Sequence, residues 1–430
     1  MGEGGDGAGR AAAAAAAEAA VRTGGVAGVG AAAWRRGAGL AGAAVGLVAA
    51  GAAVGVAVER LTVGRGMRRK ARLALDAVGP YGTLRGTPGV AVADDGTELH
   101  YEVDEVEGQP ADGARPRFLG RRPAPAVTVV FSHGYCLNQD SWHFQRAALR
   151  GVVRTVFWDQ RSHGRSGRGP ARRDGGEPVT IDLLGRDLKA VIDAAAPEGP
   201  LVLVGHSMGG MTMMALADQF PSLIADRVAA AAFVGTSPGL LSEVTYGLPV
   251  AGMNLVRRAV LPGAFKLMTD RTDLVEKGRR ATSDIVGAII KRYSFGTRDV
   301  DPVVARFAER LIEATPVDVV AEFYPAFDAH DKVAALSAFA RLPVLVLAGE
   351  KDLITPSSHS EVIADALPDA GLTVVPGAGH LVMLEQPQLV CEKLAELLAQ
   401  APAALAGSRS GSRSGGRGGW VRGEERAAPE

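Results

Sequence analysis

The sequence contains little cysteine, few aromatic residues and no excess of charge of either sign. Its two cysteines, Cys136 and Cys391, stand in no metal-binding spacing, so we expect both to be reduced. Lysine plus arginine and aspartate plus glutamate number 47 each, and the resulting zero net charge argues against nucleic acid as a partner. The sequence also has neither a histidine and aspartate cluster with metal spacing nor a glycine-rich phosphate loop. It therefore predicts chemistry that needs no metal and no cofactor.

A serine flanked by glycines follows a hydrophobic run in the middle of the chain. Residues 202–211 read V-L-V-G-H-S-M-G-G-M, which contains the pattern G-x-S-x-G around Ser207. The hydrophobic run is typical of a buried strand, and the residues after it favour a helix. A strand-to-helix turn of this kind is too tight for a Cβ at either glycine, and it presents the serine at its apex. The pattern therefore predicts Ser207 as a catalytic nucleophile, with an ordinary glycine-rich turn as the alternative.

A nucleophilic serine needs a general base, and the base needs an acidic residue to orient it. In enzymes with this kind of turn, the order along the chain is serine, acid, histidine. Asp352 follows the hydrophobic run at residues 342–349, and His380 follows a short strand pattern at residues 373–375. Both therefore lie just past the carboxyl ends of strands, where open α/β sheets place their sites. Order and position predict His380 as the general base.

Two acidic residues compete for the role of the orienting acid. Glu350 and Asp352 follow the same strand, two residues apart. We prefer Asp352 because the spacing G-x-x-D-x-x-x-P lets its loop pass over the sheet edge before Pro356 starts the next helix. The alternative role for Asp352 is that of a helix-capping or turn residue.

The oxyanion that forms during acyl transfer needs backbone amides as hydrogen-bond donors. One should be the amide of Met208, directly after the nucleophile, and the other should come from the loop after an earlier strand. That strand is predicted at residues 127–131 and leads into S-H-G-Y-C. Gly134 lets the backbone turn so that the amide of Tyr135 faces the serine. We therefore predict an oxyanion hole formed by Met208 and Tyr135, with a plain His-Gly turn as the alternative.

Together these segments resemble the serine-dependent α/β-hydrolases, in particular their esterase, lipase and peroxidase-like branch with an H-G-x oxyanion loop. The segments that carry the resemblance are Ser132–Asn138, Trp158–Ser166, Gly205–Gly209, Gly349–Pro356 and Gly377–His380. In the second segment the family usually has D-x-R-G-H-G-x-S, and here Ser162 replaces the first glycine. That segment is structural in the family, so the departure does not affect the expected catalysis. The resemblance covers residues 88–400 and implies the fold and the nucleophile but not the substrate.

The pattern of strands and helices agrees with an α/β fold. Residues 90–105 contain Asp95-Gly96 between alternating stretches and indicate an opening β-hairpin. Further strands, which alternate with helical patterns, are predicted at residues 127–132, 154–159, 201–205, 229–235, 344–349 and 373–375. This alternation predicts a mostly parallel central sheet flanked by helices. Residues 237–341 show only helical periodicity and correspond to the helical cap that the family inserts here, within an α/β-hydrolase domain at residues 88–400.

The densest aromatic cluster of the chain lies in the predicted cap, at residues 323–327. Phe323, Tyr324 and Phe327 are therefore candidates for the lining of an apolar substrate pocket. The alternative is that these rings pack the cap against itself.

The two ends of the chain are of low complexity. Residues 1–36 are rich in alanine and glycine, and residues 401–430 form a Gly/Ser/Arg-rich tail; both are predicted to be disordered. Residues 37–58 carry no charge, so residues 37–60 are predicted as a transmembrane helix that attaches the protein to a membrane. A cleaved signal peptide and a soluble low-complexity stretch are the alternatives. Positive charges are more numerous after this span than before it, which favours a single pass with the catalytic domain in the cytoplasm.

From these residues we expect a serine hydrolase that acts on carboxylic ester bonds of small molecules through an acyl-enzyme. The same residues also serve cofactor-free perhydrolysis, hydrolysis of carbon–carbon bonds in diketones, and acyl transfer, so these reactions are alternatives. An epoxide hydrolase or a dehalogenase is disfavoured because those enzymes carry a carboxylate at the position of Ser207. A non-catalytic, membrane-tethered binding protein on this fold would require a broken catalytic triad, whereas all three predicted members are present.

Overall fold

The computed structural model describes residues 81–107, 127–169, 179–246, 249–275, 283–297 and 299–411. Its strands are β1 (Thr87–Val92), β2 (Glu98–Asp104), β3 (Thr128–Ser132), β4 (Arg154–Trp158), β5 (Leu201–His206), β6 (Val228–Val234), β7 (Val344–Gly349) and β8 (Gly371–Val375). Its α-helices are α1 (His143–Leu149), α2 (Ile181–Ala195), α3 (Met208–Gln219), α4 (Pro221–Arg227), α5 (Val250–Leu255), α6 (Leu261–Asp270), α7 (Ser283–Ser294), α8 (Pro302–Glu313), α9 (Val317–Asp328), α10 (Ser357–Ala366), α11 (Val382–Glu385) and α12 (Pro387–Gly411). Every predicted strand is present, with small shifts at the ends.

The strands form one 8-stranded sheet in the order β1-β2-β4-β3-β5-β6-β7-β8. β1 and β2 form the predicted antiparallel hairpin, and β2 pairs antiparallel with β4. The remaining neighbours, from β4 to β8, pair in parallel. The prediction of a mostly parallel central sheet is therefore confirmed, and its parallel strands all end at one edge.

Helices cover both faces of the inner strands β3, β5, β6 and β7, which explains why these strands are buried along their whole length. In β5, Val202 and Val204 pack on one face with residues of α12. Leu201 and Leu203 pack on the other face with residues of α2 and α3. Alternate residues of one strand thus enter two different hydrophobic clusters, as the two-residue period of a strand requires.

Helices α5 to α9 lie between β6 and β7 in the chain and correspond to the predicted cap. The cap is shorter than predicted at its carboxyl end. Leu336 and Phe339, in a 3₁₀-helix at residues 334–339, are fully buried in the hydrophobic cluster beneath the sheet. Phe339 meets Phe233 of β6 at a ring distance of 5.2 Å. These residues belong to the body because their side chains complete its core.

The low-complexity segment predicted at residues 1–36 and the transmembrane helix predicted at residues 37–60 lie outside the described residues. Among the helices that the structure describes, none is both long enough and apolar enough to cross a membrane. At the other end, α12 continues to Gly411, past residue 401, where the disordered tail is predicted to begin. The helix continues past residue 401 through Ala403, Ala404, Leu405 and Ala406, which are strong helix formers.

Candidate active site

Ser207 occupies the turn between β5 and α3. Its backbone has φ 52° and ψ −119°, a conformation that residues with a side chain rarely adopt. A Cβ on Gly209 would lie 2.2 Å from the carbonyl oxygen of Ser132 in β3, and a Cβ on Gly205 would lie 2.6 Å from the backbone of Gly209. The two glycines of the G-x-S-x-G pattern are therefore required by the tightness of the turn.

Hydrogen bonds hold this turn from the neighbouring strand β6. The amide of Ser207 donates to the carbonyl oxygen of Val234 at 2.9 Å, and the hydroxyl of Thr236 donates to the carbonyl oxygen of Ser207 at 2.7 Å. Met208 is the first residue of α3. The first amides of a helix have no acceptor within the helix, and the amide of Met208, directly after the serine, is one of them.

His380 and Asp352 are in contact past the ends of β8 and β7. His380 Nδ1 donates to Asp352 Oδ2 at 2.8 Å, and both side chains are buried. Asp352 Oδ1 accepts from the amides of Ile354 at 2.8 Å and Thr355 at 2.9 Å, and the Thr355 hydroxyl donates to Oδ2 at 2.9 Å. Burial acts to raise the pKa of Asp352, but the His380 ring and these hydrogen bonds outweigh it and lower the pKa. Asp352 is therefore held as a carboxylate against the histidine ring.

Glu350, the other acidic residue after β7, takes no part in this contact. Its side chain is exposed, and its carboxylate accepts a hydrogen bond from the amide of Gly377 at 2.9 Å. The acid that the structure places against His380 is thus Asp352, the one preferred from the sequence.

His206 joins the serine turn to the loop that carries His380. Its Nε2–H donates to the carbonyl oxygen of His380 at 2.9 Å, and the two rings lie 4.8 Å apart. Because His206 immediately precedes Ser207, the predicted nucleophile and the predicted base belong to one cluster at the carboxyl edge of the sheet. Burial, and then the neighbouring His380, lower the pKa of His206 to about 3, so His206 is neutral at physiological pH.

The loop that carries His380 is also held from its other side. The carboxylate of Glu385, at the end of α11, accepts a hydrogen bond from the amide of Gly379 at 2.7 Å. It also accepts one from the amide of Gly296 at 3.1 Å. Gly296 follows α7 of the cap, so one carboxylate connects the cap to the residue directly before His380.

The loop after β3 lies directly against Ser207. A Cβ on Gly134 would lie 3.1 Å from Ser207 Cβ and 2.6 Å from His206 Nδ1, so only glycine allows this approach. Tyr135 follows, and its hydroxyl donates to the carbonyl oxygen of Val320 in α9 at 2.5 Å. The structure thus brings the backbone of the predicted oxyanion loop next to the serine and ties this loop to the cap.

Two buried histidines support the predicted oxyanion loop through hydrogen bonds to its backbone. His133 Nε2 accepts from the amide of Gln160 at 2.9 Å, so Nδ1 carries the proton and donates to the carbonyl oxygen of Gly134 at 2.7 Å. His163 Nε2 accepts from the amide of Cys136 at 3.2 Å. Burial lowers the pKa of His133 to about 4 and that of His163 to about 3, so both rings stay neutral and can accept these bonds.

The three aromatic residues predicted to line a substrate pocket lie on α9 in different surroundings. Phe323 is fully buried in a hydrophobic cluster with side chains of α3. Tyr324 contacts Phe265 of α6 within the cap, at a ring distance of 4.6 Å. Phe327 is half-buried and meets the Tyr135 ring edge-on at 5.0 Å. Their role in binding a substrate stays a prediction.

A sequence model of the family described as alpha/beta hydrolase fold matches residues 127–387, more than half of the chain. The chain is an α/β hydrolase. The matched residues run from β3 to the first residue of α12 and include Ser207, Asp352 and His380. The family resemblance and the fold inferred from the sequence are thereby confirmed.

Known proteins of several kinds resemble this α/β hydrolase. An uncharacterized protein of Mycobacterium tuberculosis is 28% identical over 288 residues, which cover 64% of this chain and 75% of that protein. The sn-1-specific diacylglycerol lipase ABHD11 of Mus musculus is 26% identical over 280 residues, which cover 62% of this chain and 78% of the lipase. Among solved structures, the bromoperoxidase from Bacillus anthracis has a TM-score of 0.54 at 20% identity. The match covers 73% of this chain and 99% of the bromoperoxidase and shows a shared fold.

Sequence reasoning missed several residues that shape the site of this α/β hydrolase. Thr355 and Glu385 lie close in the chain to Asp352 and His380, but the sequence assigns them no role. His133 and His163 lie inside segments that carry the family resemblance, yet no pattern shows that their rings accept hydrogen bonds from backbone amides. The only available signal was a polar residue next to a predicted catalytic residue or inside a family segment.

Proposed function

We propose that this α/β hydrolase is a serine hydrolase that cleaves carboxylic esters through an acyl-enzyme, as an esterase or lipase does. The observation that carries the proposal is the 2.8 Å hydrogen bond from His380 to Asp352, in one cluster with a serine at a strained strand-to-helix turn. A histidine that donates Nδ1–H to a carboxylate keeps Nε2 as a base. This arrangement supports Ser207 as the nucleophile, His380 as the general base and Asp352 as the orienting acid.

In the first half of the reaction, His380 Nε2 takes the hydroxyl proton of Ser207 while the serine oxygen attacks the ester carbonyl carbon. The carbonyl electrons move to oxygen, and the amides of Met208 and Tyr135 stabilise the oxyanion. Each such donor is worth about 3–4 kcal/mol to the transition state in a dry site. When the intermediate collapses, His380 gives the proton to the departing alcohol, and Ser207 remains acylated. Asp352 orients the ring and stabilises the imidazolium.

In the second half, a water molecule gives a proton to His380 and attacks the acyl carbon. The second tetrahedral intermediate collapses, the proton returns to Ser207, and the carboxylic acid leaves. These steps use only side chains and amides of this chain together with water.

One relative also supports an acyl substrate. The Mus musculus protein is named as a diacylglycerol lipase and is 26% identical over most of its length. That likeness favours ester hydrolysis as the reaction class.

The first experiment is labelling of the purified chain with a fluorophosphonate probe, which reacts with activated serines. We expect labelling of the wild type and of the control S222A, an exposed serine on α4, but none of S207A. Labelling of S207A at the wild-type rate would overturn the assignment of the nucleophile. If neither the wild type nor S222A is labelled, the result would favour the non-catalytic binding protein.

The second experiment is turnover of a p-nitrophenyl ester by the same variants. S207A and H380A should each lose about a millionfold in kcat, because members of a catalytic triad act as a unit. A chain that labels at Ser207 but hydrolyses no ester would contradict the proposed reaction. It would direct the search to the perhydrolase, carbon–carbon hydrolase and acyltransferase alternatives.

We also propose that residues 37–58 attach the protein to a membrane, with the catalytic domain on the cytoplasmic side. The support for this is the uncharged run and the surplus of positive charge after it. The test is a pair of reporter fusions at the two ends of the full chain, together with membrane fractionation. A carboxyl-terminal reporter on the external side would overturn the orientation, and recovery of the chain away from membranes would overturn the attachment.

A further inference from the structure

A cavity of about 520 Å³ opens beside Asp352. Its walls come from residues 238–246, which follow β6, from Val333, and from α10. Small-molecule sites commonly have volumes of about 300–1,000 Å³, so the cavity is large enough for part of a substrate. Asp352 lines it and its carboxylate contacts His380, so the cavity adjoins the acid of the proposed triad.

Aliphatic side chains converge on this cavity from three separate segments. Leu240, Val333 and Val362 all line it, and they are 55%, 38% and 37% exposed. Single exposed aliphatic residues are normal on a protein surface, whereas several that face one cavity mark a place where apolar ligands bind.

The backbone of the cavity wall is strained. Leu240 has φ 61° and Tyr246 has φ 52°, a left-handed conformation that costs free energy in residues with a side chain. Both residues line the cavity. Strain of this kind persists at functional sites, and Ser207 at the proposed nucleophile position shows it too.

The polar groups of the wall disfavour an anionic ligand. His359 Nδ1 lies 2.6 Å from the Ser237 hydroxyl, so this nitrogen is already engaged within the wall. Glu243 lines the cavity and its side chain is exposed. Its carboxylate and that of Asp352 would repel an anion.

We infer that this cavity binds the aliphatic part of an ester, so that the substrates of this chain are esters with a medium-length alkyl chain that carries no negative charge. The inference rests on the proposed function, because the cavity adjoins Asp352, the proposed orienting acid. It places the binding of the alkyl chain at Leu240, Val333 and Val362 and not at the aromatic residues of α9.

The test uses two series of substrates, p-nitrophenyl esters from acetate to octanoate and alkyl acetates from ethyl to octyl. Each methylene that enters an apolar site adds up to about fourfold to kcat/KM. We expect wild-type kcat/KM to rise by about tenfold or more along at least one series. V362W and V333W fill the cavity and should abolish that rise while they leave the shortest ester of the series largely unaffected.

V92W is the matched control. Val92 is 64% exposed on β1, at the opposite edge of the sheet from β8, against which α10 packs. Its chain-length profile should equal that of the wild type. Circular dichroism and fluorophosphonate labelling of each variant separate a folding defect from a filled cavity.

A further variant, E243Q, tests the discrimination against anionic substrates. It should raise the rate with the monomethyl ester of a six-carbon diacid, relative to methyl hexanoate, by about two- to fivefold, the effect of one exposed charge. An unchanged ratio of these two rates would show that the Glu243 carboxylate does not repel anionic substrates.

The outcomes separate the two ideas. If the wild type neither labels nor hydrolyses any ester, the proposed function fails. If it labels and hydrolyses acetate esters but V362W and V333W keep the wild-type profile in both series, the proposed function stands and the alkyl site is overturned.

Discussion

The carboxylate of Glu385 accepts a hydrogen bond from the backbone amide of Gly379 at 2.7 Å, directly before His380. The same carboxylate accepts from the amide of Gly296 in the cap. Glu385 does not reach the reacting atoms in the proposed mechanism, yet it holds the loop from which the proposed base projects. It is therefore a positioning residue, and it makes the geometry of the base depend on the cap.

Removal of this carboxylate should lower turnover more than it weakens substrate binding. E385A leaves two partly buried amides without this acceptor and frees the loop, and a displacement of about 1 Å at a catalytic group can cost about 100-fold. We expect kcat to fall by about 10- to 100-fold with a smaller change in KM. E385Q should recover most of the loss, because its amide oxygen can still accept from Gly379.

E396A serves as the control for E385A, because Glu396 is exposed and pairs with Lys393 on α12. It should behave as the wild type. A normal kcat in E385A, with only a lower melting temperature, would show that Glu385 stabilises the fold without positioning the base.

Substitution of Asp352 and of Glu350 should show which of these two acids orients the histidine ring. D352N keeps the shape of the side chain but disfavours the histidine tautomer that has its proton on Nδ1, and comparable changes in serine enzymes cost about 10⁴-fold in kcat. E350Q changes an exposed carboxylate that contacts Gly377 and should leave kcat nearly unchanged. Steady-state kinetics on one ester measures both, and a larger loss in E350Q than in D352N would reverse the assignment.

Mild acid should destabilise the protein through its buried histidines. Burial lowers the pKa of His133 to about 4 and of His163 and His206 to about 3, whereas the ordinary value is 6.5. The unfolded chain therefore takes up protons first, so stability is complete above about pH 6.5 and falls as the pH approaches 4. At pH 5 each histidine should cost about 2 kcal/mol of unfolding free energy.

Urea unfolding at pH 7 and pH 5 measures this loss. H163Q should be less stable than the wild type at pH 7, because it loses the ring that accepts a hydrogen bond from the Cys136 amide, but it should lose less stability on going to pH 5. The carboxylates of Asp95 and Glu102 have pKa values lowered to about 2 from 3.8 and 4.5, so they add to the loss only at lower pH. An equal pH dependence in H163Q and wild type would contradict the assignment of His163 as a buried neutral group.

The substitution S162G should stabilise the fold. Ser162 stands where the family usually has glycine, and its φ of 63° lies in the left-handed region. That conformation costs a residue with a side chain about 1–2 kcal/mol, and the extra freedom of glycine when unfolded offsets about 0.5–1 kcal/mol. We expect a net gain of about 0.5–1 kcal/mol in chemical denaturation with unchanged activity. S222G, a serine-to-glycine change within α4, should instead lower stability.

The parts of the site that follow from local sequence are those governed by backbone sterics or by chain order. The glycines around Ser207 predict the tight turn because a Cβ at Gly209 has no room. The hydrophobic runs predict buried strands, and the order of strands along the chain predicts that Ser207, Asp352 and His380 share one sheet edge. The catalytic roles of these residues remain proposals, but their placement at that edge follows from the sequence.

Only the tertiary structure decided which side chains meet once the strands are assembled. Asp352 and not Glu350 reaches His380, Glu385 joins the histidine loop to the cap, and residues 334–339 complete the body and not the cap. Leu240 and Val362 meet across one cavity although they are far apart in the chain. No local pattern encodes such contacts, because they depend on how loops from different strands pack against one another at the edge of the sheet.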